Sequence, residues 1–217
     1  MRIVLFIVLP LFIGVGYAQE AILANAAFKH PAYFGLSGGY GSTTWQGLVP
    51  SDINKNEAIS ISTPVTVNEG GSVWGAFAGF ELTPYFALEA GYMRYPNAII
   101  SFDEFSLFAF DHDGLLDLYT HTETISVMAK VMLFIPKTDV RLYSSAGAAE
   151  VHRWDNMTES RRISPTFGVG FNYPVSEHVM AEIGGNYTAG YGESELNPAK
   201  DYVPFLYSGV FRLAYRI

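Results

Sequence analysis

GAFAGFELTPYFALEAGY, residues 75–92, carries two runs of alternating apolar residues around a Thr-Pro turn. Ala76, Ala78, Phe80 and Leu82 alternate along one face of a first segment, and Phe86, Leu88, Ala90 and Tyr92 along one face of a second. Period-two alternation on either side of a Thr-Pro turn reads as a β-hairpin. The other face of the second segment holds Ala87, Glu89 and Gly91, so a carboxylate sits at the centre of an otherwise apolar strand. One face evidently meets hydrocarbon, and Glu89 asks what the opposite face meets.

The N-terminus reads as a leader rather than as fold. Arg2 precedes the apolar run IVLFIVLPLFIGVG, and Gly16-Tyr17-Ala18 forms a small-x-small cleavage site before Gln19. That is a secretory signal peptide over residues 1–18, leaving residues 19–217 as one exported domain. The run is short for a bilayer span and contains Pro10, which disfavours an anchor. The chain carries 13 Lys+Arg against 21 Asp+Glu, a formal charge of −8, which argues against nucleic acid as a partner. It has no cysteine, so an exported domain here has no disulfide staple. Aromatics make up 15% and charged residues only 16%, with 21 glycines. Such a balance, without a further long apolar run, fits a membrane β-barrel whose apolar residues are dispersed by alternation.

Eight strand-like segments follow: Ala32 to Trp45, Ser72 to Leu82, Phe86 to Tyr95, Glu123 to Ile135, Val140 to Trp154, Arg162 to Val175, Val179 to Tyr191 and Pro204 to Ile217. Their links alternate in length. LTPYF, IPKTDV and YPVSEHV are tight turns built on Pro84, Pro136 and Pro174, whereas the links after the first, third, fifth and seventh segments are longer. Short turns at one end and long loops at the other predict an all-β fold, an eight-stranded antiparallel up-and-down transmembrane β-barrel with short periplasmic turns and long extracellular loops. A soluble barrel is the rival. It would bury its apolar faces, and reversing the faces here would place Lys130 and Arg212 in lipid.

Alternation puts Trp74, Phe80, Ile125, Val127, Phe167, Phe171, Phe211 and Tyr215 outward. Glu89, Ser126, Met128, Lys130, Arg141, Tyr143, Ser145, Thr166, Asn172, Glu182, Asn186, Ser208 and Arg212 fall inward, with Gly91, Gly147, Gly168, Gly170 and Gly184 leaving room between them. Counting about 3.3 Å per residue from the turns, Glu89, Lys130, Glu182 and Arg212 lie at comparable depth, about 15 Å in. Two charges of each sign in a narrow barrel are placed to pair, with Lys130 expected as the first partner of Glu89 and Arg212 as the second. Three readings stand: an ionic plug that seals the lumen, a gated ion path opened by re-pairing, and an acid–base pair.

GAFAGFELTPYFALEAGY, VMAKVMLFIPKTDVRLYSSAGAAEV and SPTFGVGFNYPVSEHVMAEIGGNY together resemble the transmembrane domain of the OmpA-like eight-stranded outer-membrane proteins. The resemblance runs from about Tyr33 to Ile217. It implies a lumenal salt-bridge network, with the family's Glu falling on Glu89, its Lys on Lys130, and its other network positions on Ser145, Asn172 and Glu182; Arg212 is added by depth and parity. It also implies outer-membrane lipid, lipopolysaccharide and the outer-membrane assembly machinery as partners, and a monomer. The chain ends at Ile217, where an anchored member would continue into a peptidoglycan-binding domain, so that function is not expected. The terminal residue is Ile rather than the usual Phe.

Function displayed rather than enclosed would lie in the long loops. The second, Pro96 to Thr122, is apolar and acidic. Phe105, Phe108 and Phe110, with Trp154 at the end of the fifth segment, are candidate contacts for a host or surface ligand, unless residues 99–110 simply extend the strands or fold over the barrel mouth. DHDG at 111–114 with Asp117 lacks the spacing of a calcium loop. His112, His121, His152 and His178 show no metal-ligand spacing, and no metal or cofactor is expected. His152 and Glu150 near one strand end are a thin basis for hydrolase chemistry, so no catalytic residue is assigned. The expected role is envelope integrity or adhesion through the loops, and the alternative is a narrow porin-like channel.

Overall fold

The computed structural model describes residues 29–45, 66–101, 117–156, 158–190 and 203–217. They form ten strands: β1 (Ala32–Thr43), β2 (Thr66–Asn68), β3 (Gly71–Thr83), β4 (Phe86–Arg94), β5 (Ala98–Ser101), β6 (Asp117–Phe134), β7 (Arg141–Trp154), β8 (Glu159–Pro174), β9 (Val179–Thr188) and β10 (Leu206–Arg216). Eight of them, all but the short β2 and β5, pair antiparallel with their sequence neighbours, and β1 pairs with both β3 and β10. That last pairing closes the ring. Closure matters because a bilayer offers nothing to satisfy the free backbone groups of a sheet edge. Among the described residues no helix is long and apolar enough to cross a membrane; the strands make the crossing.

The three tight connections lie together at one end. Thr83 pairs with Phe86 across Pro84–Tyr85, and the Tyr85 amide donates to Thr83 Oγ1 at 3.2 Å. The β6–β7 turn carries Lys137 at φ 65°, and the Val175 amide closes the β8–β9 turn on the Val179 carbonyl at 2.8 Å. At the opposite end β5 pairs with β2 and with residues 117–120 of β6, so the second hairpin continues as strand well above its predicted limit. Ile99 therefore belongs to a strand extension; Phe105, Phe108, Phe110 and the DHDG segment lie outside the described residues, as do residues 1–18, the expected leader.

One expectation is corrected here. The link after the fifth predicted strand is not long: only residues 155–158 separate β7 from β8, and the Asp155 amide bonds the Thr158 carbonyl at 3.0 Å. The ladder continues through Arg153↔Ser160 and Trp154↔Glu159, because backbone pairing above the bilayer needs no apolar face to sustain it.

The faces follow the parity. Trp74, Phe80, Leu88, Ile125, Val127, Phe167, Phe171, Phe211 and Tyr215 are exposed on the outside. Aromatic pairs mark both rims of this apolar band: Trp74–Tyr92 and Tyr187–Phe205 at one, Phe34–Tyr215 and Tyr85–Phe134 at the other. Inside, Glu89, Lys130, Arg141, Asn172, Glu182 and Arg212 are buried.

Candidate functional site

The lumen is built in layers, and strand register supplies each one. Arg141, Asn172, Glu182 and Arg212 are direct cross-strand neighbours on β7, β8, β9 and β10, so one row of inward positions carries three charges and an amide. Glu89 enters from β4 on the far wall. Arg212 Nη2 lies 2.5 Å from Glu89 Oε1, and Arg212 Nη1 lies 2.8 Å from Glu182 Oε2. Lys130 pairs closely with Glu182 and stands 3.6 Å from Glu89. The structure thus brings all four predicted residues together, two carboxylates against two cations.

The order of partners differs from the expectation, since Arg212 is the nearer partner of Glu89. Lys130 is in register with Ala87, two residues closer to the turn, and its ammonium lies 4.1 Å from the centre of the Tyr143 ring on its way to Glu182. Tyr33 completes the central layer by donating its hydroxyl to Glu89 Oε2 at 3.0 Å, and Asn172 Nδ2 donates to Glu182 Oε1 at 2.6 Å. Arg212 also lies 3.6 Å from the centre of the Phe77 ring. Glycines make these placements feasible. A Cβ on Gly79 would come within 2.3 Å of the Tyr33 ring, and one on Gly184 within 2.3 Å of the Tyr143 hydroxyl.

Below this layer, toward the turns, lies a second ionic group that parity would have located. Glu81 accepts from Arg141 at 2.8 and 3.2 Å and from Arg216 at 2.9 Å, and Arg141 also donates to Asn172 Oδ1 at 3.0 Å. Asn172 therefore joins the two layers. Glu81 alternates with the outward Phe80 and Leu82, and Arg216 with Tyr215 and Ile217; each was legible as inward, and neither was paired in advance. Above the central layer a cavity of about 40 Å³, lined by Ser37, Ser126, Thr166, Asn186 and Thr188 among others, has room for only a few waters. Above that, Val73, Tyr95, Val151, Val203, Leu206 and Val210 pack into an apolar cap inside the barrel. At the mouth the Arg153 guanidinium lies 4.6 Å from the centre of the Trp45 ring and 2.5 Å from Asp155.

A third constellation lies outside the barrel wall. Arg94, Glu123, His152 and Arg161 are consecutive cross-strand neighbours on β4, β6, β7 and β8, facing outward. In the next outward row toward the turns stand Tyr92, Ile125, Glu150 and Ile163, and beyond it Ala90, Val127, Ala148 and Pro165, so the charged row marks the upper edge of the apolar band. His152 meets Glu123 at 3.0 Å through Nδ1 and Glu159 at 2.9 Å through Nε2, while Glu150 faces Arg161 at 3.5 Å. Both His152 nitrogens therefore meet carboxylates, not a serine hydroxyl. The hydrogen bond from His152 is the largest influence holding the Glu123 carboxyl below its ordinary value. Trp154, proposed as a surface contact, ends β7 with its ring stacked on His121 and on His152, at 5.3 and 4.7 Å, and with Arg94 5.1 Å from its centre.

A closed eight-stranded barrel with an apolar outer band, aromatic rims and a charged lumen defines an outer-membrane protein of the OmpA-like class. Residues 9–203 match the outer membrane protein beta-barrel domain, and the chain belongs to that family. The fold is shared with solved outer-membrane barrels at low identity. Neisserial surface protein A (NspA) is 14% identical with a TM-score of 0.54, covering 86% of this chain and 97% of that one. OprG from Pseudomonas aeruginosa is 11% identical with a TM-score of 0.50, covering 87% and 98%. No curated protein sequence matches the chain. The chain is a multi-pass protein of the bacterial outer membrane.

Proposed function

We propose that the barrel is a sealed scaffold, with its role in envelope integrity or surface contact performed from the extracellular side. The observation that carries this reading is the lumen's stacking: the Glu81 group, the four-residue ionic layer and the apolar cap lie in series, with a cavity of about 40 Å³ between the last two. An open pore must break an ionic layer and displace a cap whose members are almost wholly buried. On the outside, the Arg94–Glu123–His152–Arg161 row with Trp154 supplies charges and an aromatic at headgroup height, suited to lipopolysaccharide phosphates and sugars. Loop residues 102–116, with Phe105, Phe108 and Phe110, are the proposed ligand contacts, and residues 1–18 the proposed export leader, with Gln19 as the first mature residue.

The experiment is purified protein in planar bilayers, paired with adhesion and detergent-sensitivity assays of a deletion strain. A sealed scaffold gives no unitary conductance, and its loss weakens the envelope or surface attachment. A second reading, a narrow gated path, draws on one feature: each cation of the central layer contacts both carboxylates, so the pairs can exchange without leaving the layer. Unitary currents that change on Glu89→Gln or Lys130→Met would favour it and overturn the sealed barrel.

A further inference from the structure

We propose that His30, Glu177 and His178 form a site for a divalent transition-metal ion of the Zn²⁺ class at the turn-side, periplasmic end of the barrel. The three residues come from two places in the chain. His30 stands two residues before β1, and Glu177 and His178 occupy the β8–β9 turn. One ligand atom from each lies within 4.8 Å of the others. The imidazole centres are 4.4 Å apart and the rings cross at 62°.

The tautomer of His178 is the second observation. Its Nδ1 lies 3.3 Å from the backbone carbonyl oxygen of Arg216. A carbonyl only accepts, so Nδ1 carries the proton and the lone pair is left on Nε2. A metal-ligating histidine typically has this arrangement, with one nitrogen donating to a carbonyl and the other free to coordinate. The ring and its backbone are both held. Tyr215 stacks on it at 5.5 Å and 19°, and the Arg216 amide donates to the His178 carbonyl at 2.8 Å.

What competes for the ligands is weak. Lys29 stands 3.9 Å from Glu177 Oε2, and both side chains are about two-thirds exposed. A screened pair of that length holds the carboxylate loosely. Two imidazoles and one carboxylate suit Zn²⁺ or a similar borderline ion, whereas Ca²⁺ and Mg²⁺ prefer an all-oxygen shell. Three protein ligands leave room for water in the remaining position. Because His30 leads into β1 while His178 is bonded to the end of β10, a bound ion would clip the β1–β10–β9 seam shut at its periplasmic end. Zinc that binds only the folded arrangement must raise its stability.

The test is calorimetric titration of ZnCl₂ into the untagged folded barrel in detergent micelles, with heat-dependent gel mobility reporting the fold of every variant. The expected result is one saturable site, with binding lost in His30→Ala and His178→Ala and weakened at least about tenfold in Glu177→Gln. His152→Ala, on the outer rim, should bind as the parent does. Zinc should raise the unfolding temperature of the parent and leave that of His30→Ala unmoved. Because His30 precedes the first strand, its replacement leaves the ladder intact. Absence of saturable Zn²⁺ binding, binding that survives in the two folded alanine variants, or an equal response to Ca²⁺ would each overturn the site.

Discussion

Arg212 reaches from β10 to Glu89 on β4, closing a gap of 123 residues in sequence with a 2.5 Å contact between Nη2 and Oε1. Both side chains are buried, and the same guanidinium holds Glu182 through its other terminal nitrogen. Replacing one member leaves the other charges without full compensation inside a low-dielectric lumen. Arg212→Met should therefore destabilise the barrel by about 3–5 kcal/mol, whereas Glu89→Gln combined with Arg212→Met should cost less than the sum of the two single changes. Urea unfolding in micelles, read by tryptophan fluorescence, checks both.

Glycine at 79 keeps space for the Tyr33 ring, and the Tyr33 hydroxyl donates to Glu89. Gly79→Ala must push that ring aside or bend β3, at about 1–3 kcal/mol. The same substitution in a Tyr33→Phe background should keep the steric part of the cost, because the ring remains. In Tyr33→Ala it should cost little. The three unfolding midpoints separate ring from hydroxyl.

Acid should loosen the outer rim. The folded Glu123 carboxyl titrates below its ordinary value of 4.5, chiefly through its hydrogen bond from His152. A carboxylate held low contributes stability that is present above its unfolded pKa and is lost as pH falls through the lower, folded one. Hydrogen-exchange protection at residues 121–124 and 151–153, taken relative to the intrinsic rate at each pH, should therefore fall as pH drops below about 4.5. His152→Ala should abolish that acid limb, and an unchanged profile in the variant would count against the assignment.

The turn-side group should behave as its own unit. Glu81→Gln leaves Arg141 and Arg216 facing each other without a carboxylate, since both donate to Glu81. A loss of about 3 kcal/mol or more is expected, with partial recovery when Arg216→Met is added. Bilayer recordings of Glu81→Gln should stay silent, because the central layer and the apolar cap remain.

The eight-strand count, the hairpin turns and the sidedness of most strands were legible, because lipid on one face and a lumen on the other impose period two on the residues themselves; the glycine-rich first strand, Ala32 to Trp45, carried no such assignment. Thus Glu89 could be read as inward from Leu88 and Ala90 alone. The outer end was harder. Above the bilayer the alternation that marks a strand is no longer enforced by lipid, so β8 begins at Glu159 rather than at Arg162 and β6 at Asp117 rather than Glu123. Trp154, read as the end of the fifth segment and a surface contact, does end β7, and its ring stacks on His121 and His152 of the same outer face.

Parity and depth are local quantities counted along one strand, and they were enough to show which faces meet lipid and to place Glu89, Lys130, Glu182 and Arg212 in the lumen. Partner choice was decided only by the closed barrel. Shear sets which residues meet across the lumen, and it brought Arg212 rather than Lys130 nearest to Glu89, joined Glu81 to Arg141 and Arg216, and set His30 beside His178. Those contacts depend on distances through the barrel, between residues as much as 148 positions apart, and no alternation along a strand encodes them.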